Sequence, residues 1–228
     1  MSAFDLVIFD CDGVLVDSEV IAARVDAELL TAAGFEISPE ELVERYAGLT
    51  FKDILLSIEK QAAIPFQANL IDQAEALADK RLANEVRAIE GAPAAVASVE
   101  VARCICSNSS EHRLDAMLER TGLKPFFAGR VFSARSVPSG KPKPAPDVFL
   151  HAAKTLGVEP GRTLVVEDSV PGVHAAQAAG MRVLGFTGAS STFPGHADAL
   201  MEAGAETVIR RWADFPGVMA ALSEWSDA

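Results

Sequence analysis

The segment FDCDGV, residues 9–14, sets Asp10 and Asp12 one residue apart directly after the apolar run LVIF. Like charges that close raise each other's pKa and cost free energy unless a cation or a shared proton relieves them. A turn at a strand end accounts for Asp12-Gly13, since Asp-Gly is a common turn dipeptide, but leaves Asp10 unexplained. A second acidic pair, Glu167-Asp168, closes another apolar run, TLVV. Two more features share this placement. Ser107, Asn108 and Ser109 follow the run ARCIC at the mouth of a helix, where free N–H groups suit a phosphate, although a plain N-cap reads the same way. The loop GKPKPAPD, 140–147, delivers Lys141 and Lys143 among prolines. Four carboxylates at adjacent strand ends repel one another unless a hard divalent cation lies among them. Mg2+ fits, because it takes oxygen ligands and keeps waters that a phosphate can replace. With a lysine and a helix N-terminus beside it, the set reads as metal-assisted phosphoryl transfer.

These groups need strands to carry them. Runs of strand length occur at 5–9, 102–106, 130–133, 163–167, 182–186 and 206–209. Their continuous apolar character predicts a parallel sheet covered on both faces. Helical patterns lie between them at 110–121, 147–156 and 171–179, followed by Gly122, Gly157 and Gly180 as stop signals. Alternating βα units predict a doubly wound α/β fold. One interval breaks the alternation. From Glu19 to Val86 the pattern is helical throughout, in segments 19–34, 39–46, 51–61 and 67–85. A βαβ crossover needs one helix, so this is an insertion. It is expected to be a helical cap domain, 17–86, over the carboxyl ends of the strands, with a core of 1–16 plus 87–228 and chain crossings near Asp17 and Gly91. A purely stabilising helical extension is the alternative.

Composition narrows the partners. The 228 residues are 50% hydrophobic and 23% charged, with a formal net charge of −12. That balance argues against nucleic acid, which needs clustered Lys and Arg, but leaves room for a small phosphorylated ligand. No apolar run approaches the roughly 18 residues of a membrane span. MSAFDLVIFD runs straight into the first strand with no leader pattern. A cytoplasmic monomer is expected. Cys11, Cys104 and Cys106 make an odd count beside core strands and read as buried thiols in a reducing compartment.

Taken in order, FDCDGVLVDSE, CSNSS, KPAPDVF and VVEDSVPG resemble the four motifs of the haloacid dehalogenase superfamily. The likeness is to its β-phosphoglucomutase and sugar-phosphatase branch, with a helical cap inserted after the first motif. The resemblance implies that Asp10 is a nucleophile that becomes an aspartyl-phosphate and that Asp12 is the general acid/base. It implies Mg2+ held by Asp10, the backbone carbonyl of Asp12 and Asp168, with Glu167 an outer or alternative ligand. Ser107 and Asn108 then match the phosphate-binding position, and the spacing of KPAPDVF selects Lys143 over Lys141. The cap segment YAGLTFKDIL makes Thr50 and Lys52 candidate specificity residues, with a helix start as the alternative. Asp17 is read as a cap for the hinge, and the loop 185–198 as either site lining or mere connection. His112, His151, His174 and His196 are scattered without ligand spacing and read as surface or helix-face residues.

The expectation is a phosphatase of a small phosphorylated metabolite, most simply a sugar phosphate. A phosphomutase is the first rival, weakened by Ala22 where that branch carries a proton-shuttling histidine. A dehalogenase is disfavoured by the presence of Asp12. A phospho-accepting receiver module is the rival from another class, but it lacks a cap and takes its acceptor aspartate from a later strand.

Overall fold

The computed structural model describes residues 3–46, 51–62 and 69–224. Runs dominated by Val, Ile, Leu and Cys have little side to give to water, so they form strands, buried on both faces at the centre of the sheet and half-buried at its edges. These are β1 (Leu6–Phe9), β2 (Ala102–Ser107), β3 (Val131–Ser133), β4 (Thr163–Glu167), β5 (Arg182–Phe186) and β6 (Thr207–Ile209). All pair in parallel, in the order β3-β2-β1-β4-β5-β6. Among the described residues the helices are α1 (Glu19–Ala32), α2 (Pro39–Tyr46), α3 (Phe51–Ala62), α4 (Leu70–Glu85), α5 (Ala92–Ser98), α6 (Glu111–Thr121), α7 (Lys124–Phe127), α8 (Asp147–Leu156), α9 (Val170–Ala178), α10 (His196–Glu202) and α11 (Phe215–Glu224).

The doubly wound α/β expectation holds, and β1 shows how it is built. Leu6 and Ile8 point into one layer with Cys104, Val165, Val183 and Phe149 of α8. Val7 and Phe9 point into the other with Ile105, Val166, Phe127 and Trp212. Fully buried side chains of this size each contribute roughly 1.5–3 kcal/mol. The chain winds from β1 towards β3 on one side and from β4 to β6 on the other. The direction therefore reverses beside β1, where open α/β sheets form a crevice beyond their carboxyl ends.

Between β1 and β2 the described residues form α1–α5 and no strand, apart from the isolated bridges of Val16 to Asp12 and to Ala88. The helices α1–α3 and the start of α4 share their own apolar cluster, including Leu30, Leu42, Tyr46, Ile54 and Ile58. Helices α1 and α4 also send Ile21, Val25, Ala78 and Leu82 into the sheet-side layer. Arg113 of α6 donates to Asp79 of α4 at 2.5 Å, which ties the inserted helices to the sheet's own. The chain crosses out and back at one place. Asp17 N–H donates to Arg87 O at 3.0 Å, and Ile89 N–H donates to Leu15 O at 2.9 Å. The return crossing is thus at 87–89, slightly before Gly91, which instead starts α5 against Trp212. No described helix is long and apolar enough to cross a membrane.

Candidate active site

Strand register brings the first functional groups together. Phe9 pairs with Ile105 of β2 and Val166 of β4, so Asp10, Cys106 and Glu167 follow at the same level. Asp10 N–H donates to Val166 O at 3.0 Å, which carries the ladder one residue beyond β1. Lys143, on the loop after β3, reaches this row from the side. Its Nζ donates to Asp10 Oδ1 at 2.9 Å, Glu167 Oε1 at 2.5 Å and Cys106 O at 2.8 Å. All three ammonium protons are therefore placed, and the Lys143 side chain is only 3% exposed. Lys141 is exposed. The loop is pinned by Asn108, whose Oδ1 accepts from Lys143 N–H at 2.9 Å.

Asp12 sits in a ring of hydroxyls. Its Oδ1 accepts from Ser18 Oγ at 2.7 Å, and its Oδ2 from Ser109 Oγ at 2.8 Å and Ser107 Oγ at 3.3 Å. Ser107 and Ser109 arrive from the end of β2, and Ser18 from the residue before α1. Sequence reading placed Ser109 with Ser107 and Asn108 at a phosphate-binding helix mouth, not on Asp12, and gave Ser18 no part in the site. Their only signal was position, in DSE and in CSNSS.

Glu167 and Asp168 complete the row. Glu167 Oε2 accepts from Ser169 Oγ at 3.0 Å, and Ser169 also caps α9 by accepting from Gly172 N–H at 3.1 Å. A Cβ at Gly172 would lie 2.1 Å from Glu167 Oε2, so only glycine allows α9 to start there. Gly13 has φ +71°, and a Cβ there would lie 1.9 Å from Asp168 Oδ2. Glycine is required on both counts. One carboxylate oxygen each from Asp10, Glu167 and Asp168 falls within 4.8 Å of the others. Three hard oxygen donors at this spacing, buried and crowded, suit a divalent cation.

The electrostatics point the same way. Burial pushes the Asp10 carboxyl up to about 8; Lys143 opposes the rise, while Glu167 and Asp12 add to it. Burial also pushes Asp168 well above the ordinary carboxylate range, helped by Glu19, Asp10 and Glu167. For Lys143 burial favours the neutral amine, but the Asp10 and Glu167 carboxylates outweigh it and hold the ammonium well above its usual range. The pair therefore stays ionised at Lys143, and the strain falls on the carboxylates. A second positive charge among them would relieve it.

The loop between β5 and α10 lines the site. Ser190 Oγ donates to both oxygens of Asp17 at 2.6 Å, so Asp17 binds this loop and does not cap a helix. His196 is buried, stacks on Phe193 at 4.5 Å and bonds through Nε2 to Asp168 O at 2.6 Å. This corrects its surface reading. Nothing local marks it, because the contact joins residues far apart in sequence. His112 and His174 are exposed, and half-buried His151 packs edge-on against Phe132. Cys11, Cys104 and Cys106 are free and buried. Thr50 lies outside the described residues, and Lys52 is exposed on the first turn of α3.

A cavity of about 510 Å3 opens from Asp168 and Ser169 up to α1, α2 and α3, with Glu19, Asp26, Tyr46 and His196 in its wall. It gives a ligand held at the acidic row room to extend beneath the inserted helices.

Comparison with known proteins agrees with this geometry. Residues 4–180 match the haloacid dehalogenase-like hydrolases. The chain is 31% identical to 6-phosphogluconate phosphatase of Escherichia coli K12 over 189 residues, 82% of this chain and 84% of that one. It is 29% identical to hexitol phosphatase B of the same strain, over 77% of this chain and 80% of that one. Among solved structures, a conserved haloacid dehalogenase-like protein of unknown function from Agrobacterium tumefaciens superposes with TM-score 0.90 at 58% identity, covering 96% of this chain and 99% of that one. A haloacid dehalogenase family hydrolase from Deinococcus radiodurans R1, solved with bound phosphate and sodium, gives TM-score 0.83 at 32% identity, covering 97% of each. The row of carboxylates around Lys143, the sheet that carries it and these matches agree, and the chain belongs to the haloacid dehalogenase-like hydrolase family.

Proposed function

We propose that this chain is a magnesium-dependent phosphatase of a small phosphorylated metabolite, with sugar phosphates as the substrate class, working through an aspartyl-phosphate on Asp10. The observation that carries the reading is Lys143 Nζ fixed between Asp10 and Glu167 beside Asp168. One buried ammonium against three carboxylates leaves a deficit of positive charge that matches a metal and a phosphoryl group arriving together. The relatives named for 6-phosphogluconate and hexitol phosphates, and the phosphate bound in the Deinococcus structure, support it.

In this reading Asp10 Oδ2 attacks phosphorus, and the bond from phosphorus to the substrate oxygen breaks. Asp12 gives its proton to the departing alkoxide. The Asp12 carboxylate then takes a proton from water, whose oxygen attacks the phosphoaspartate, releasing phosphate and restoring Asp10. Ser18, Ser107 and Ser109 hold Asp12 in one orientation throughout. The side-chain amide nitrogen of Asn108 meets the phosphoryl oxygens, Ser107 stays on Asp12 at the base of the site, and Lys143, held by Asp10, sets its positive charge beside them. A divalent ion held by Asp10, Asp168 and the Asp12 carbonyl, with Glu167 behind them, supplies charge neutralisation at those oxygens and keeps Asp10 ionised. We place the cap at 17–86 and the core at 1–16 plus 87–228. Ala22 lies in the cavity wall and offers no proton carrier, which favours water over a sugar hydroxyl as the second acceptor and hence hydrolysis over mutase chemistry.

Phosphate release measured across sugar, polyol, sugar-acid and glycolate phosphates tests the reading, with magnesium present, removed by chelation and restored. Turnover should vanish with the chelator and return with the metal. Absence of phosphate release from every ester at any magnesium concentration sinks it.

A further inference from the structure

The cavity above the acidic row carries further carboxyl groups in its wall, from Glu19 and Asp26. Glu19 stands at the start of α1 and accepts from Ser191 on the loop before α10. Asp26, two turns further along α1, makes no hydrogen bond or ion pair among the described residues, and burial alone pushes its carboxyl up to about 7. The third group is the His196 ring. Its Nε2 faces the Asp168 carbonyl, which can only accept, so Nε2 carries a proton, and in that tautomer Nδ1 is an acceptor. That Nδ1 is buried with no partner among the described residues. A buried acceptor without a donor is costly, and it marks a place where a donor is missing.

No lysine or arginine stands among the described wall residues. Lys52 is exposed on α3 and outside the wall. The stretches 47–50 and 63–68 contain neither Lys nor Arg in their sequence, so they bring no cation either.

We propose that Glu19, Asp26 and His196 select the part of the substrate beyond the phosphate, admitting an uncharged, hydroxyl-rich leaving group and rejecting one that carries a carboxylate. Hydroxyls donate to all three groups. A carboxylate only accepts, so it would leave His196 Nδ1 unpaired and would bring a further negative charge beside the Glu19 and Asp26 carboxyls, with no lysine or arginine in the wall to balance it. The inference rests on the phosphatase reading and sharpens it. It separates this chain from the relative named for 6-phosphogluconate, whose far end is an acid.

The test uses the wild-type enzyme with magnesium and two esters of one configuration that differ only at C1. One is 6-phosphogluconate, and the other is the hexitol 6-phosphate with CH2OH in place of the carboxylate. p-Nitrophenyl phosphate serves as the control for the chemistry itself. Hydrolysis of the control with kcat/KM for the hexitol ester higher by tenfold or more supports the inference, as does a loss of most of that ratio in Asp26→Asn or, if that variant folds poorly, Glu19→Gln. Hydrolysis of the control with the acid equal or preferred, with neither ester accepted, or with a ratio unmoved in both variants overturns the inference and leaves the phosphatase reading standing. No hydrolysis of any of the three removes the phosphatase reading, and the inference with it.

Discussion

Lys143 Nζ lies 2.9 Å from Asp10 Oδ1 although 133 residues separate the two, and the pair is closed from solvent. Lys143→Ala leaves Asp10 and Glu167 facing each other without a counter-charge. Turnover should fall on the order of 10²–10³ in kcat, the usual loss when one electrostatic donor to a developing charge is removed. Folding stability should drop as well, by about 3 kcal/mol, because one partner of a buried pair is left behind. Lys141→Ala, an exposed loop charge, should change neither by more than a few-fold. Steady-state kinetics and urea unfolding of both variants decide it, and the reverse pattern would assign the catalytic cation to Lys141.

Asp10→Asn and Asp12→Asn should both be inactive, for different reasons. The first cannot form the phosphoenzyme, since an amide is a poor nucleophile. The second keeps the nucleophile but has no base for water, so label from a phosphate ester with a good leaving group should accumulate on the protein. Acid quench and counting of protein-bound phosphate separates them. Label on Asp10→Asn and none on Asp12→Asn would exchange the roles.

The hydroxyl ring around Asp12 predicts a kcat effect with little change in KM. Ser109→Ala removes the 2.8 Å contact and frees the carboxylate to rotate away from the reacting oxygen. A loss of about tenfold in kcat is expected, with Ser18→Ala similar and the double variant showing less than the product of the two, as for groups acting as one unit. A KM-dominated loss would contradict this placement.

Gly13→Ala should be more damaging than its one methyl suggests. The left-handed backbone and the 1.9 Å approach to Asp168 Oδ2 both oppose a side chain. A cost of about 1–3 kcal/mol is expected, together with weaker activation by magnesium, because Asp168 must move to make room. Activity titrated with the metal, beside thermal unfolding, distinguishes the two effects.

Asp26 gives a pH signature in stability. Its folded pKa is raised to about 7 from 3.8 by burial, so between these values the folded state binds the proton more tightly than the unfolded one. Stability is therefore lost as pH rises through this window and stays low above it. Asp26→Asn should stabilise the free protein at pH 8 by roughly 2 kcal/mol, below the full shift because the cavity admits water. The gain should shrink at pH 5. Urea melts at the two pH values check it, and a pH-independent difference would contradict burial as the cause.

The sheet was legible in the sequence because strands buried on both faces leave unbroken apolar runs, and all six appear where those runs lie. The helix stops at Gly122 and Gly157 were legible for the same local reason, since both adopt the left-handed conformation that ends a helix. The Asp10 row was legible because charges at strand ends are conspicuous. His196, Ser190 and Asp26 were not. Their parts depend on a loop folding back onto α1 and the β4 end, and a lone His or Ser carries no sequence mark of the residue it will meet. Only the neighbourhood makes Asp26 unusual: on a helix face facing water it would be ordinary.

The crossing at Leu15–Asp17 and Arg87–Ile89 has a bearing on descent. Because the outgoing and returning chains are hydrogen-bonded side by side, the chain leaves and re-enters the core at one place, and the pairing of β1 with β2 does not depend on how many residues lie between. Helices there can be gained, lost or exchanged while the carboxylate row keeps its register. Substrate range and chemistry can then be inherited separately, so a lineage can change the compound it dephosphorylates through α1–α4 alone.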